Sequence, residues 1–465
     1  MSDFVTAIDF GSSKIALAIG EKRSDGMYVS WYDSKESSGI RNGEIQNEAQ
    51  VEKTLRAMIE TAEENTGKKI SEVVTGISGR EILFKDVTAE DVKSDSNRII
   101  RSADIVKLTN ARYGEQVDGK IYEVAPQSYD VDDFIGGHED DMAGMRGSTL
   151  TGHYRLFYGK PAMVNGRRRV ISDCGLTLRR SILSPIASAR AVLTRQEMEN
   201  GVAVVDIGKG CTEVIIIKDN TVRDIYSIPF AGESITNDIR TVTNLGLKRA
   251  EELKVRYGYC LEEKTPDNKI LELTDENGEV ETSIQLQELT GIVESRISEI
   301  FDAVRYILDN SKYSARIPGG VVITGGSAYL SYLLPLAKAM LERKCRLDAP
   351  RVCITPDSAQ GASDAYASTA VGLLVEYFDR KLSTTGLDTK EEPVIAGTIF
   401  GKEDEPEFEP EFEPKPEEVI SKKKNTEPVE EPSKKEEPGR REKKPGFIKK
   451  FISDFFGDNG NKDKA

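Results

Sequence analysis

Two short runs 197 residues apart carry one pattern, Ala7-Ile8-Asp9-Phe10-Gly11-Ser12-Ser13-Lys14 and Val205-Asp206-Ile207-Gly208-Lys209-Gly210-Cys211-Thr212. Each follows an apolar run (Phe4 to Ile8; Val202 to Val205) and precedes another (Ile15 to Ile19; Val214 to Ile217). That order predicts strand, tight glycine turn, strand, twice over. Glycines let a backbone come close to phosphate oxygens, and successive N–H groups in such a turn form an anion-binding concavity. The repeat therefore predicts an α/β protein of two related halves that clasp one nucleotide between them.

The residue types in the loops suit that ligand. Gly11, Gly208 and Gly210 free the backbone, while Ser12, Ser13 and Thr212 offer hydroxyl donors. Lys14 brings a point charge for phosphate, and Lys209 stands in the second turn. Asp9 and Asp206 alone would repel a polyphosphate, so carboxylates at both loop mouths predict a Mg²⁺ between them, held through its retained waters. One Asp-x-Gly hairpin by itself reads as well as an ordinary β-turn. The second copy narrows the choice, and so does Val321-Val322-Ile323-Thr324-Gly325-Gly326-Ser327-Ala328, a buried-strand run ending in paired glycines ahead of a helical pattern from Tyr329 to Arg343. Gly325 and Gly326 leave room for a flat adenine against backbone, with Ser327 as the expected N-cap.

A chain of 465 residues has length for two or more domains with sizeable cores. Its formal net charge of −15 predicts no broad basic surface, which argues against nucleic acid as a partner. Five cysteines without a Cys-x-x-Cys pair, and two histidines, make a zinc site a poor reading and suit a reducing cytoplasm. The N-terminus runs into a strand without a signal-peptide pattern, and no apolar stretch approaches the ~18 residues of a membrane span. Trp31 is expected to pack against its own sheet.

Past Leu387 the character changes. Half of the 18 prolines lie beyond residue 390, interleaved with Glu and Lys. Such composition cannot bury a core, so residues 387–442 are expected to form an extended, disordered, acidic tether reaching roughly 40 Å or more. The tether runs into Lys443 to Phe456, where Phe447, Ile448, Phe451, Ile452, Phe455 and Phe456 fall within about a half-turn of a helical wheel. Lys449 and Lys450 lie on the opposite side with Ser453 and Asp454. A helix of ~10 residues is ~15 Å long and cannot span ~30 Å of hydrocarbon. Docking back on the body remains one reading of this segment. The other is an amphipathic anchor in a membrane interface, its lysines toward anionic headgroups. Burial of six such side chains releases about 10–15 kcal/mol at most, and ordering the helix costs a similar amount, so one copy is a marginal anchor and a self-associated body would hold far better.

The two Asp-x-Gly loops with the later Gly-Gly-Ser resemble the actin, Hsp70 and sugar-kinase ATPases, and within them the chain is similar to the FtsA family of bacterial cell-division actin homologues. Ser184 to Leu193 running into Gly201 to Gly208, and Pro229 to Ile239 followed by Ala250 to Gly258, carry that resemblance. They imply that Gly232, Glu251 and Lys254 border the adenosine. Ala125 to Asp132 and Ala143 to Leu150 resemble the family's inserted subdomain 1C, and the terminal helix resembles its membrane-targeting sequence. The family commonly has Gly-Gly-Gly-Thr-x-Asp where Gly208-Lys209-Gly210-Cys211-Thr212-Glu213 stands here, and a Glu where Ser184 precedes Pro185.

The resemblance implies subdomain 1A from 1–84, 164–198 and 357–386, subdomain 1C from 85–163, subdomain 2A from 199–240 and 315–356, and subdomain 2B from 241–314. The tether and the helix with its tail, 443–465, follow. It implies ATP and Mg²⁺ as ligands with weak turnover at most. It further implies self-polymerisation through 1C, a contact between 2B and the C-terminal peptide of FtsZ, other division proteins as partners, and a peripheral place on the cytoplasmic face of the membrane at the division septum. The alternative is a soluble small-molecule kinase on the same fold, which needs a carboxylate base beside an acceptor pocket. An Hsp70-like chaperone would need a peptide-binding domain where the tether stands.

Overall fold

In the computed structural model, which describes residues 4–95, 97–267, 269–274, 280–380 and 382–384, the repeated pattern becomes two sheets built alike. The first half opens with β1 (Val5–Phe10), β2 (Lys14–Arg23), β3 (Gly26–Glu36), a short hairpin of β4 (Ile40–Arg41) and β5 (Glu44–Ile45), α1 (Glu48–Thr66) and β6 (Glu72–Ile77). Then come β7 (Leu83–Val92), α2 (Ser102–Ala111), β8 (Lys120–Val131), β9 (Phe134–Gly137), α3 (Glu139–Met142) and β10 (Thr149–Gly159). The chain returns through α4 (Ala162–Asp173), β11 (Thr177–Leu183), α5 (Ser184–Val192) and α6 (Arg195–Asn200). The second half starts with β12 (Val202–Ile207), β13 (Thr212–Lys218), β14 (Thr221–Ile228), α7 (Gly232–Thr243) and α8 (Leu247–Tyr257). It continues with β15 (Ile270–Thr274), β16 (Val280–Gln285), α9 (Leu286–Asn310), β17 (Val321–Thr324), α10 (Leu333–Leu341) and β18 (Cys345–Leu347), and α11 (Ser368–Asp379) closes the described chain.

The sheets run β3-β2-β1-β6-β11 and β14-β13-β12-β17-β18. In each, an antiparallel meander of three strands is extended by two parallel strands. β1 and β12 are central and covered on both faces, which is why they read as nearly continuous apolar runs. The strands β7-β10-β8-β9 form a separate antiparallel sheet with its own core around Tyr129, Tyr154 and Leu156.

The largest core cluster joins the halves. It takes Ala7, Ala16 and Ala18 from the first sheet, Val204, Ile215 and Ile217 from the second, and buried faces of α5 and α11 between them. The two helices cross backbone to backbone, since a Cβ on Gly372 would lie 1.7 Å from the Ala187 carbonyl oxygen. On the outer face, α1 buries Val51, Leu55, Met58, Ile59 and Ala62 at helical spacing, starts on an Asn47 cap and stops at a left-handed Gly67. Trp31, on β3, packs against that same outer core.

One element differs from its sequence reading. The helix expected from Tyr329 to Arg343 spans Leu333–Leu341, and Gly326–Tyr329 is a separate 3-10 turn. Tyr332 at φ +63° and Glu342 at φ +52° interrupt the helical path at either end. Ser327 is therefore inside the turn and caps no helix. The tether expected at 387–442 and the amphipathic segment 443–465 lie outside the described residues, with Phe447, Ile448, Lys449, Lys450, Phe451, Ile452, Phe455 and Phe456.

Candidate functional site

Both repeated loops close in the same way. Gly11 N–H donates to the Lys14 carbonyl at 3.0 Å and Gly208 N–H to the Cys211 carbonyl at 3.2 Å, each at the end of an antiparallel pair. The loops meet: a Cβ on Gly210 would stand 2.8 Å from Ser12 Oγ and 2.9 Å from Asn42 Cα. Ser12 Oγ accepts from Gly43 N–H at 2.9 Å, which ties the first loop to the β4–β5 hairpin.

The third glycine run closes over the second loop. Gly325 takes φ +91°, and a Cβ there would fall 2.3 Å from Asp206 Oδ1. No side chain fits. Around Gly326 an added Cβ would meet nothing within 4 Å, which leaves open space on that side. The Ser327 hydroxyl, expected as a cap, donates to the Gly208 carbonyl at 3.2 Å. Gly232 N–H donates to the same carbonyl at 3.0 Å, so the start of α7, the second loop and the Gly-Gly-Ser run are bound at one atom.

These segments enclose a cavity of about 680 Å³. Asp9, Gly11, Ser12, Ser13 and Lys14 line it from the first half. Asp206, Gly208, Lys209, Gly210, Gly232, Glu251, Lys254, Gly325, Gly326 and Ser327 line it from the second. Thr212 does not. Its side chain is buried and its Oγ1 donates to the Phe230 carbonyl at 2.7 Å, which corrects its reading as a phosphate donor. Alternation along β13 is the reason: Cys211 and Glu213 line the cavity and Thr212 points the other way.

Lys254 also has a different place from a simple ligand contact. Its Nζ donates to the Gly232 carbonyl at 3.0 Å, Thr236 Oγ1 at 2.9 Å and Glu251 Oε2 at 2.8 Å. All three protons are committed, so Lys254 bolts α7 to α8 and shapes the wall. Lys209 lines the cavity with no side-chain partner in hydrogen-bond range among the described residues.

Carboxyl groups crowd the interior. Burial pushes Asp9 up to about 6 against the pull of Lys14, and the nearby Asp206 charge adds to the rise. Burial raises Asp206 as well, although Ser188 Oγ donates to it at 2.6 Å. Glu213 is pushed up to about 8 by burial and then by Asp206, with Ser78 Oγ donating to it at 2.9 Å. Lys14 falls to about 8 because burial outweighs the attraction of Asp9 and Asp206. Beneath the floor Arg167, 2% exposed, donates to the Gly43 carbonyl at 2.7 Å and the Ser78 carbonyl at 3.3 Å.

Such opposed hard-oxygen donors fit Mg²⁺. Among the described residues no group of three or more His, Cys, Asp or Glu side chains could hold an ion by itself. When bound, the ion would supply charge that offsets the repulsion of Asp9, Asp206 and a polyphosphate. Ser184, buried at the start of α5, has an Oγ without a partner and lines the same cavity.

Several lining residues escaped the sequence reading. Gly43, Ser78, Val255, Tyr329, Leu330, Asp364, Tyr366 and Thr369 all border the cavity. Ser78 and Thr369 follow strands or open helices with no motif of their own. Val255 carried a signal, standing one residue after Lys254 on a helix already assigned to the site.

A family model described as "Cell division protein FtsA" matches residues 203–372. The cell division protein FtsA of Pseudomonas aeruginosa is 28% identical over 378 residues, covering 80% of this chain and 88% of that protein. FtsA of Bacillus subtilis is 26% identical over 377 residues, covering 80% and 83%, and FtsA of Escherichia coli K12 is 28% identical over 386 residues, covering 80% and 89%. Among solved structures, the PilM–PilN type IV pilus biogenesis complex superposes with a TM-score of 0.56 at 15% identity, covering 80% of this chain and 98% of that one. MreB5 of Spiroplasma citri bound to ADP gives 0.50 at 13% identity, covering 82% and 97%. These structural likenesses fix the fold as actin-like.

Proposed function

We propose that this chain, similar to FtsA over 80% of its length and actin-like in fold, is an ATP-binding, self-associating adaptor that ties FtsZ filaments to the inner face of the cytoplasmic membrane at the division septum. The observation that carries the reading is the single cavity walled by both repeated loops and the Gly325-Gly326 run. Asp9 and Lys14 come from one sheet and Asp206, Glu251 and Gly326 from the other half, so a nucleotide gains all of these contacts together only when the halves are closed.

Each remaining part of the reading has its own support. The sheet β7-β10-β8-β9 has an independent core and offers a body, residues 85–163, for self-association. Residues 241–314 are assigned to the FtsZ peptide by family resemblance. The amphipathic pattern of Phe447 to Phe456 supports the membrane contact, and filaments would gather many weak anchors into a strong one. Ser184 in place of a Glu supports binding with slow turnover.

The test is sedimentation of the full chain with anionic liposomes, with and without Mg·ATP, beside Phe451→Asp and a truncation after Glu442. Binding enhanced by ATP and abolished by both changes is expected. An intact chain that stays in the supernatant under every condition would remove the adaptor mechanism and favour the soluble kinase.

A further inference from the structure

Lys14 stands at the first phosphate turn, yet its ammonium is already occupied. Its Nζ donates to Tyr32 Oη at 3.0 Å and lies 3.8 Å from the centroid of the Tyr366 ring. Tyr366 is held over it. Its hydroxyl donates to Asp364 Oδ2, the neighbouring Ala365 N–H donates to Tyr329 Oη at 3.0 Å, and the Tyr329 and Tyr366 rings are 6.1 Å apart. The segment is the 3-10 turn Ala365–Ala367 ahead of α11. Tyr366 is 39% exposed, so its ring can swing away without opening the core.

An aromatic face over an ammonium is a weaker partner than a phosphate oxygen, and the two compete for the same cation. We propose that Tyr366 stands in for a phosphoryl group on Lys14 in the nucleotide-free protein, so that a nucleotide must displace the ring to place a phosphate there. The inference rests on the nucleotide-site reading above. It makes Tyr366 a specificity-determining residue: adenosine carries nothing for Lys14 and leaves the ring in place, whereas ATP has to move it.

Isothermal titration of the full chain with Mg·ATP and with adenosine, on wild type, Tyr366→Ala, Tyr366→Leu and Tyr366→Phe, tests this. Alanine and leucine each remove the π-face, leucine while keeping bulk, and both should tighten Mg·ATP by roughly three- to thirty-fold while adenosine affinity stays unchanged. Phenylalanine keeps the π-face but loses the anchor to Asp364, so it should tighten Mg·ATP by less than alanine or leucine does. Unchanged or weaker Mg·ATP binding in both the alanine and leucine variants, or an equal gain for adenosine, would overturn the inference while leaving the nucleotide site intact. A wild-type chain that binds neither ligand would instead remove the site reading and this inference with it.

Discussion

Replacing Glu213 with Gln should flatten the pH dependence of stability in the nucleotide-free protein. The Glu213 side chain is 5% exposed, and its carboxyl is pushed from an ordinary 4.5 up to about 8, first by burial and then by the Asp206 charge. With the folded-state pKa above the unfolded one, the folded chain holds an extra proton in between. Its contribution is fully present below pH 4.5 and is lost as pH rises through about 8. Linkage over that interval gives a loss of about 2 kcal/mol between roughly pH 6 and pH 8. Asp206, also raised by burial, adds a slope of the same sign in both proteins. Asp9, raised to about 6, has spent most of its effect by then. Lys14, lowered to about 8, has the opposite sign and stabilises the fold as pH climbs from there toward its ordinary value of 10.5. Urea unfolding at pH 6, 7 and 8 reads the difference: the wild-type midpoint should fall steadily and the Glu213→Gln midpoint should fall clearly less. Parallel declines in the two proteins would refute the assignment of this proton to Glu213.

Gly372→Ala puts a Cβ 1.7 Å from the Ala187 carbonyl, where ordinary contact begins at 3.4 Å. Forcing α5 and α11 apart should lower stability by about 1–3 kcal/mol in urea unfolding, even though Ala gains about 1 kcal/mol over Gly in a helix; an unchanged midpoint would mean that the crossing yields freely. Thr212→Val should cost about 1 kcal/mol by removing the hydroxyl's hydrogen bond to the Phe230 carbonyl and leave Mg·ATP affinity untouched. A tenfold loss of affinity by calorimetry would place that hydroxyl back on the phosphates.

What could be read from the chain was what its local chemistry determines. Asp9 to Lys14 and Asp206 to Gly210 announced themselves because a tight turn between buried strands needs its glycines adjacent in sequence, and the repeat of that turn exposed the duplicated halves. Thr212 was misplaced by counting donors along a loop without asking where the strand begins. The period-2 alternation of β13 already put Cys211 and Glu213 on one face and Thr212 on the other. Ser188, which holds Asp206, and Arg167, which holds the Gly43 and Ser78 carbonyls, belong to helices whose pattern reports only burial. Tyr366 was invisible for a further reason: its contact with Lys14 joins residues 14 and 366, and only the packing of α11 beside β1 and β2 brings them together.

The same packing bears on how a ligand could act at a distance. Asp206 is held by Ser188 at 2.6 Å, and Ser188 Oγ lies 3.0 Å from Thr369 Oγ1 on α11. Asp206 is thus braced by the two helices that cross at Gly372, within the core shared by both sheets. On the proposed function, the cavity's carboxyls would oppose closure only where they are ionised, Asp9 above about pH 6 and Glu213 above about pH 8, because their charges then repel that of Asp206. A cation bound with phosphates on Lys14 would, on the same proposed function, reverse the sign of that interaction. The free energy a ligand can apply to the halves is therefore set by its differential contact with the open and closed arrangements. On that reading a variant that neutralises Asp9, Asp206 or Glu213 should, at a pH where that group is ionised, raise the stability of the empty protein and weaken its response to nucleotide together.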